Sequence, residues 1–185
     1  CIVGALRGNE IQQLYICSQL VKALKELEAH GAISHNHEIL VIPSVNRFSM
    51  NVGKRFWPTD NSDINRAFPG DVNGDTTKQI AGTLFDRIKG YSYGIHFASF
   101  YMPGDFIPHV KMMDTGFQSA SLANLFGLQY VVIRKPKPMD TVTLNYNWQM
   151  NGTNAFSIYT NSTDMIDEKS ARQAVSSVLR FLTRM

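Results

Sequence analysis

CIVGALRGNEIQQLYICSQLVKALKELEAHG, residues 1–31, decides the fold. Its opening, CIVGAL, is a short apolar run of the kind that is buried on both faces of a parallel sheet. Ile11, Leu14, Tyr15, Leu20, Ala23, Leu24 and Leu27 then recur at helical spacing, and Gly31 is a stop signal. The turn between the two, Arg7-Gly8-Asn9-Glu10, therefore lies at the carboxyl end of a strand. In an open α/β sheet that is where ligands bind.

Further along, strands and helices keep alternating. EILVIPSVN (38–46) reads as a buried strand stopped by Pro43, and a long loop follows from Arg47 to about Gly74. Asp75-Thr76-Thr77 starts an amphipathic helix that runs to Gly90. YSYGIHFASF (91–100), FIPHVKMM (106–113), LQYVVIRKP (128–136) and TNAFSIYTN (153–161) read as extended segments, with a short helix at SASLANLFG (119–127). The last helix, IDEKSARQAVSSVLRFLTRM, has an acidic first turn and a basic last turn, as the helix dipole prefers. The pattern predicts an α/β fold with a largely parallel or mixed sheet, in one domain over residues 1–185.

Composition narrows the function classes. Hydrophobic residues make up 44% and charged residues 18%, which suits a packed core and excludes a disordered chain. The net charge of +3 comes without a long Lys/Arg run, so nucleic acid is not an expected partner. No apolar stretch is long enough to cross a bilayer. Cys1 and Cys17 are too few for a disulfide framework and point to a reducing compartment, hence the cytoplasm. A homo-oligomer stays open.

The long loop holds the densest chemistry. In DNSDINRAFPG (60–70), Asn65 and Arg66 stand side by side, an amide next to a rigid five-donor fork suited to a carboxylate. Phe68 is placed to anchor the loop, and Pro69-Gly70 to end it in a turn. The alternative is a solvated loop in which Asp63 and Arg66 pair with each other. Glu10 is either a carboxylate capping a helix start or a ligand, and His96 either a hydrogen-bonded core residue or a ligand. Together, an acid and an imidazole at strand ends on one side of a sheet suit zinc, one ligand short of a typical site. His109 is a third imidazole or a residue supporting the loop above it; His30, His35 and His37 read as solvated. No GxSxG elbow, Walker A sequence or CxxC pair occurs.

GALRGNE (4–10), IPSVNRFSMN (42–51), RFWPTDNSDINRAFPG (55–70), GIHFAS (94–99) and PGDFIPHV (103–110), in that order, resemble the succinylglutamate desuccinylase/aspartoacylase family, relatives of the zinc carboxypeptidases. The Asp-Ile-Asn-Arg-Ala-Phe-Pro-Gly octet matches every fixed position of the family's Asp-x-Asn-Arg-x-Phe-Pro-Gly pattern. The resemblance implies a carboxypeptidase-like, three-layer α/β/α fold around a central mixed, largely parallel sheet, and one zinc ion, with Glu10 and His96 as ligands. It implies that Asn65 and Arg66 hold the carboxylate of a small-molecule substrate, with Arg55 assisting; Arg7, which is not part of the family pattern, would add a second cation for an anionic substrate. The implied reaction is hydrolysis of the amide bond of N-acyl amino acids.

The chain departs from the family at defined positions. Arg7 stands where the first His ligand is expected, and an Arg cannot ligate a cation. Gly94-Ile95 replaces the usual Asp-Leu before the later His. The catalytic Glu falls at Tyr159 or Thr160. The family's C-terminal β-rich portion is not in this sequence. The expectation is therefore a zinc-dependent deacylase with an altered metal site. The alternative is a catalytically inactive protein on the same fold that binds or senses carboxylate ligands.

Overall fold

A computed structural model describes residues 1–33, 36–100, 102 and 104–185. Strand β1 (Ile2–Ala5) leads into helix α1 (Ile11–Ala29), and β2 (Val41–Ser44) follows. Short α2 (Arg47–Asn51) and a 3-10 turn at Ile64–Arg66 precede α3 (Thr76–Ile88) and β3 (Tyr93–Ala98). Then come β4 (His109–Met113), α4 (Ser121–Asn124), β5 (Tyr130–Arg134), a 3-10 turn at Pro138–Asp140, α5 (Leu144–Met150), β6 (Asn154–Tyr159) and α6 (Glu168–Leu182). The sheet order is β2-β1-β3-β6-β4-β5. β2, β1, β3 and β6 run parallel, while β4 is antiparallel to β6 and parallel to β5.

Two cores, one on each face of the sheet, make the three layers. Ile2, Ile95, Phe97, Phe156 and Ile158 project to one face and pack against Ile16, Cys17 and Leu20 of α1 and Ala174, Val178 and Phe181 of α6. Val3 and Ala155 project to the other face, beneath Leu84, Phe85 and Ile88 of α3 and Leu144 and Trp148 of α5. Strand alternation assigns His96 to this second face, because it is paired in register with Val3 while its neighbours Ile95 and Phe97 serve the first core. That alternation is why an imidazole inside an apolar strand reaches the site.

Several boundaries differ from the sequence expectation. Pro43 does not stop its strand; it lies inside β2, an edge strand, where the missing N–H costs no ladder bond. The loop expected from Arg47 to Gly74 contains α2 and the 3-10 turn, each started by an Asx cap: Asn46 accepts from Ser49 N and Asp63 from Asn65 N. Helix α5 was not expected. Its buried face carries Asn145, Asn147 and Gln149, so no apolar stripe marks it.

Gly94 has a packing reason. A Cβ there would meet the Trp148 indole at 2.7 Å, so the ring lies flat on the strand only because the position is glycine. Gly94→Ala is expected to cost about 1–3 kcal/mol through overpacking, read as a lower urea midpoint. An unchanged midpoint would mean that Trp148 repacks without cost.

Candidate functional site

Glu10, fully buried, is the hub of the turn after β1. Its Oε2 accepts the backbone N–H groups of Leu6 (2.7 Å) and Arg7 (2.9 Å). Its Oε1 accepts Ser99 Oγ (2.5 Å) from the end of β3 and Arg7 Nη1 (3.2 Å). Both carboxylate oxygens are thus engaged by the protein. The rest of the Arg7 guanidinium faces Asp63: Nε lies 3.1 and 3.2 Å from its two oxygens, and Nη2 donates to Oδ2 at 2.8 Å. Asp63 therefore pairs with Arg7, not with Arg66 as the solvated-loop alternative had it. Burial alone would lower the Arg7 pKa, but Glu10 and Asp63 outweigh it and hold the guanidinium above its ordinary value.

Arg7, Asn65, Arg66 and His96 line one cavity of about 420 Å³, and Glu10 sits behind Arg7. Arg55 does not line it. Its Nη1 donates to Phe100 O (3.4 Å), and its charge acts on Arg7, Glu10 and Asp63. Asn65 and Arg66 occupy the rim. The Asn65 Oδ1 accepts Leu144 N (3.2 Å) at the start of α5, and the residue lines the cavity. Arg66 is exposed and spends one donor on Met139 O (2.7 Å). His96 is buried, and its Nε2 has no hydrogen-bond partner among the described residues. Burial, then the charge of Arg7, push its pKa down to about 3, so the ring is neutral at physiological pH.

The other wall comes from β4, β5, α5 and β6, and little in the local sequence pattern points to it. Lys111 projects beside Tyr159, with Nζ 5.6 Å from the ring centroid. Burial and the neighbouring Arg134 lower the Lys111 pKa. Arg134 is held by Asp140 through bonds of 2.6 and 2.7 Å, and this pairing keeps the Asp140 carboxyl below its ordinary pKa. Among the described residues, Lys111, Lys137 and Arg66 form no ion pair. The wall therefore carries more cations than acids: Arg66, Lys111, Arg134 and Lys137 against Asp140, the one acid among the residues that line the cavity. Asn145 donates to Ser157 Oγ (2.8 Å), while its buried Oδ1 has no partner among the described residues.

Tyr159, where the resemblance places the catalytic Glu, lines the cavity, and burial raises its pKa. Thr160 is buried and gives its hydroxyl to Ser162 O (3.0 Å). His109 stacks on Tyr159 with centroids 4.8 Å apart and planes 5° from parallel, so it supports the wall. His30 is exposed and bonded to its own helix, His37 is exposed, and His35 lies outside the described residues.

The donor set does not fit a zinc ion. Glu10 has both oxygens occupied, one of them by a guanidinium. Among the described residues, no group of three or more His, Cys, Asp or Glu side chains is placed to hold a metal. A cation entering beside Arg7 would also face its positive charge.

Fold and cavity together define an open α/β domain that gathers polar side chains at the carboxyl ends of its central strands. The chain belongs to the succinylglutamate desuccinylase/aspartoacylase family, whose catalytic domain it matches over residues 1–184. That family consists of deacylases acting on N-acyl amino acids. Among curated proteins, an N-alpha-acetyl-L-2,4-diaminobutyric acid deacetylase from Halomonas elongata is 28% identical over 87 residues, covering 47% of this chain and 23% of that protein. A succinylglutamate desuccinylase/aspartoacylase from Rhodobacter sphaeroides superposes with a TM-score of 0.77 at 19% identity, over 100% of this chain and 55% of its own. An aspartoacylase family protein from Mesorhizobium loti gives 0.78 at 19% identity, over 97% and 56%. The product-bound ectoine utilization protein EutE (DoeB) from Ruegeria pomeroyi gives 0.77 at 19%, over 98% and 55%. This chain spans little more than half the length of these solved relatives, and its match to the curated one covers about a quarter of that protein. No described helix is long and apolar enough to cross a membrane.

Proposed function

We propose that this chain binds a small carboxylate-bearing molecule of the N-acyl amino acid class in the cavity between Asn65-Arg66 and Lys111. The observation that carries the proposal is the excess of positive charge: Arg66, Lys111 and Lys137 line one cavity, none is in an ion pair among the described residues, and the single acid of the lining, Asp140, is already paired with Arg134. A carboxylate supplies the missing charge. Arg66 presents a planar fork to it, and the Asn65 amide adds a donor alongside.

Binding is favoured over turnover by the groups at the cavity floor. The phenol of Tyr159 stays protonated at neutral pH and is a poor base. The His96 ring is neutral and too weakly basic to hold a proton taken from water. Family membership supports the second reading, hydrolysis of the same ligands.

Calorimetry with a panel of N-acetyl amino acids, together with an assay for released amine, separates the two. Saturable binding without amine release is expected. Turnover in the range of about 1–10³ per second, usual for enzymes, would establish the hydrolase instead. Arg66→Ala is expected to weaken binding by about 10- to 100-fold, the loss of a charge-assisted bond of roughly 1.5–3 kcal/mol. Unchanged affinity in that variant would remove the clamp.

A further inference from the structure

The two acids that flank Arg7 raise a question of charge balance. Glu10 is fully buried, Asp63 is largely so, and no metal-binding group forms beside them among the described residues. One guanidinium answers both. It reaches Glu10 from Nη1 and Asp63 from Nε and Nη2.

We propose that Arg7 is the resident cation of this cavity, a guanidinium locked between Glu10 and Asp63 that does the charge work of a bound metal ion and makes ligand binding independent of metal.

A count of donors leaves Arg7 available to a ligand. A guanidinium has five N–H groups. Nε–H and one N–H of Nη2 serve Asp63, and one N–H of Nη1 serves Glu10. Two N–H groups remain, one on each terminal nitrogen, and Arg7 lines the cavity. They are suited to a carbonyl or carboxylate oxygen of the ligand. Because the guanidinium is already held from two sides, little side-chain entropy is lost when that bond forms.

Charge balance closes the site to a divalent ion. Glu10 and Asp63 contribute two negative charges; Arg7 and Arg55, which act on the same pair, contribute two positive charges. The quartet is neutral as it stands. A divalent cation would add charge that nothing among these groups offsets, and desolvation would oppose it.

This inference shares the cavity with the proposed carboxylate site and rests on it only for ligand affinity. The test begins with purified wild-type protein. Metal content, melting temperature and affinity for the N-acetyl amino acid panel are measured after EDTA treatment and again with excess zinc. Negligible zinc per chain and unchanged melting and affinity are expected. Near-stoichiometric zinc, or a melting temperature that rises with zinc and falls with EDTA, overturns the assignment.

Arg7→Ala supplies an independent arm. Its melting temperature is expected to fall by about 6–20 °C, because two buried carboxylates lose their partner. Added methylguanidinium is expected to restore part of the loss, and methylammonium, which cannot bridge two carboxylates with a planar fork, much less. Equal effects of the two cations, or none, would refute the locked-guanidinium role. Arg66→Ala distinguishes the two proposals. Metal-sensitive binding that Arg66→Ala still weakens by about 10- to 100-fold defeats the resident cation and leaves the carboxylate clamp. Metal-insensitive melting with unchanged Arg66→Ala affinity does the reverse.

Discussion

Glu10→Ala is expected to destabilise the fold by about 3–5 kcal/mol, lowering the melting temperature by roughly 6–20 °C. The truncation removes four hydrogen bonds at once. The N–H groups of Leu6 and Arg7, the Ser99 hydroxyl and Arg7 Nη1 all lose their acceptor. Each buried donor left unpaired costs about 1–3 kcal/mol, and the guanidinium keeps only Asp63. The site would not absorb the loss with water easily, because Glu10 is fully buried between β1 and β3. Glu10→Gln should be milder, since an amide oxygen can still accept from the backbone. Thermal melts of both variants test this. A shift under about 2 °C for Glu10→Ala would show that the turn after β1 holds itself without the carboxylate.

Acidification should destabilise the protein through His96. Its folded-state pKa is about 3, against an ordinary value of 6.5, with burial the main cause and Arg7 the second. The folded state therefore binds fewer protons than the unfolded chain below pH 6.5. The stability carried by the neutral ring is complete above the unfolded value and is lost progressively as pH falls toward 3. At pH 5 the loss amounts to roughly 2 kcal/mol, since each unit of separation is worth about 1.36 kcal/mol. Urea midpoints at pH 7.5 and 5, for wild type and His96→Gln, provide the measurement. The gap between the two proteins should narrow or reverse on acidification. A gap that does not change with pH would mean that the imidazole titrates as if in water.

Much of the fold is legible in residues with strong local signals. The apolar run at Ile2–Ala5, the Gly31 stop with its positive φ, and the Asp75 and Asp167 caps each declare an element boundary in a few residues. Helix α5 was missed because Asn145, Asn147 and Gln149 are buried by polar partners; Asn145 bonds Ser157 and Gln149 bonds Thr115 and Met113, neighbours far away in the chain. Periodicity cannot register a buried face made of amides.

The candidate site divides in the same way. Glu10, His96, Asn65, Arg66 and Arg7 were nameable from the sequence, and four of them line the cavity, with Glu10 behind. Arg55 was nameable too, yet it acts on the carboxylates from outside the cavity lining. Lys111 was not, because an alternating HVKMM segment shows only that Lys111 sits opposite Val110 and Met112, not that it meets Tyr159 across antiparallel β4 and β6. Gly94 looked like a lost carboxylate, and its packing against Trp148 gives it a cause that no local pattern contains.

What the amino-acid order determined alone was the alternation of strands and helices, and with it the collection of an acid, an imidazole and a guanidinium at strand ends. Those features depend on neighbours a few residues apart. Tertiary structure alone decided that Asp63 turns to Arg7 across 56 residues, so that a guanidinium fills the space between two buried acids. Pairing of charges through space depends on which strand ends the sheet order brings together, and that order is a property of the whole fold.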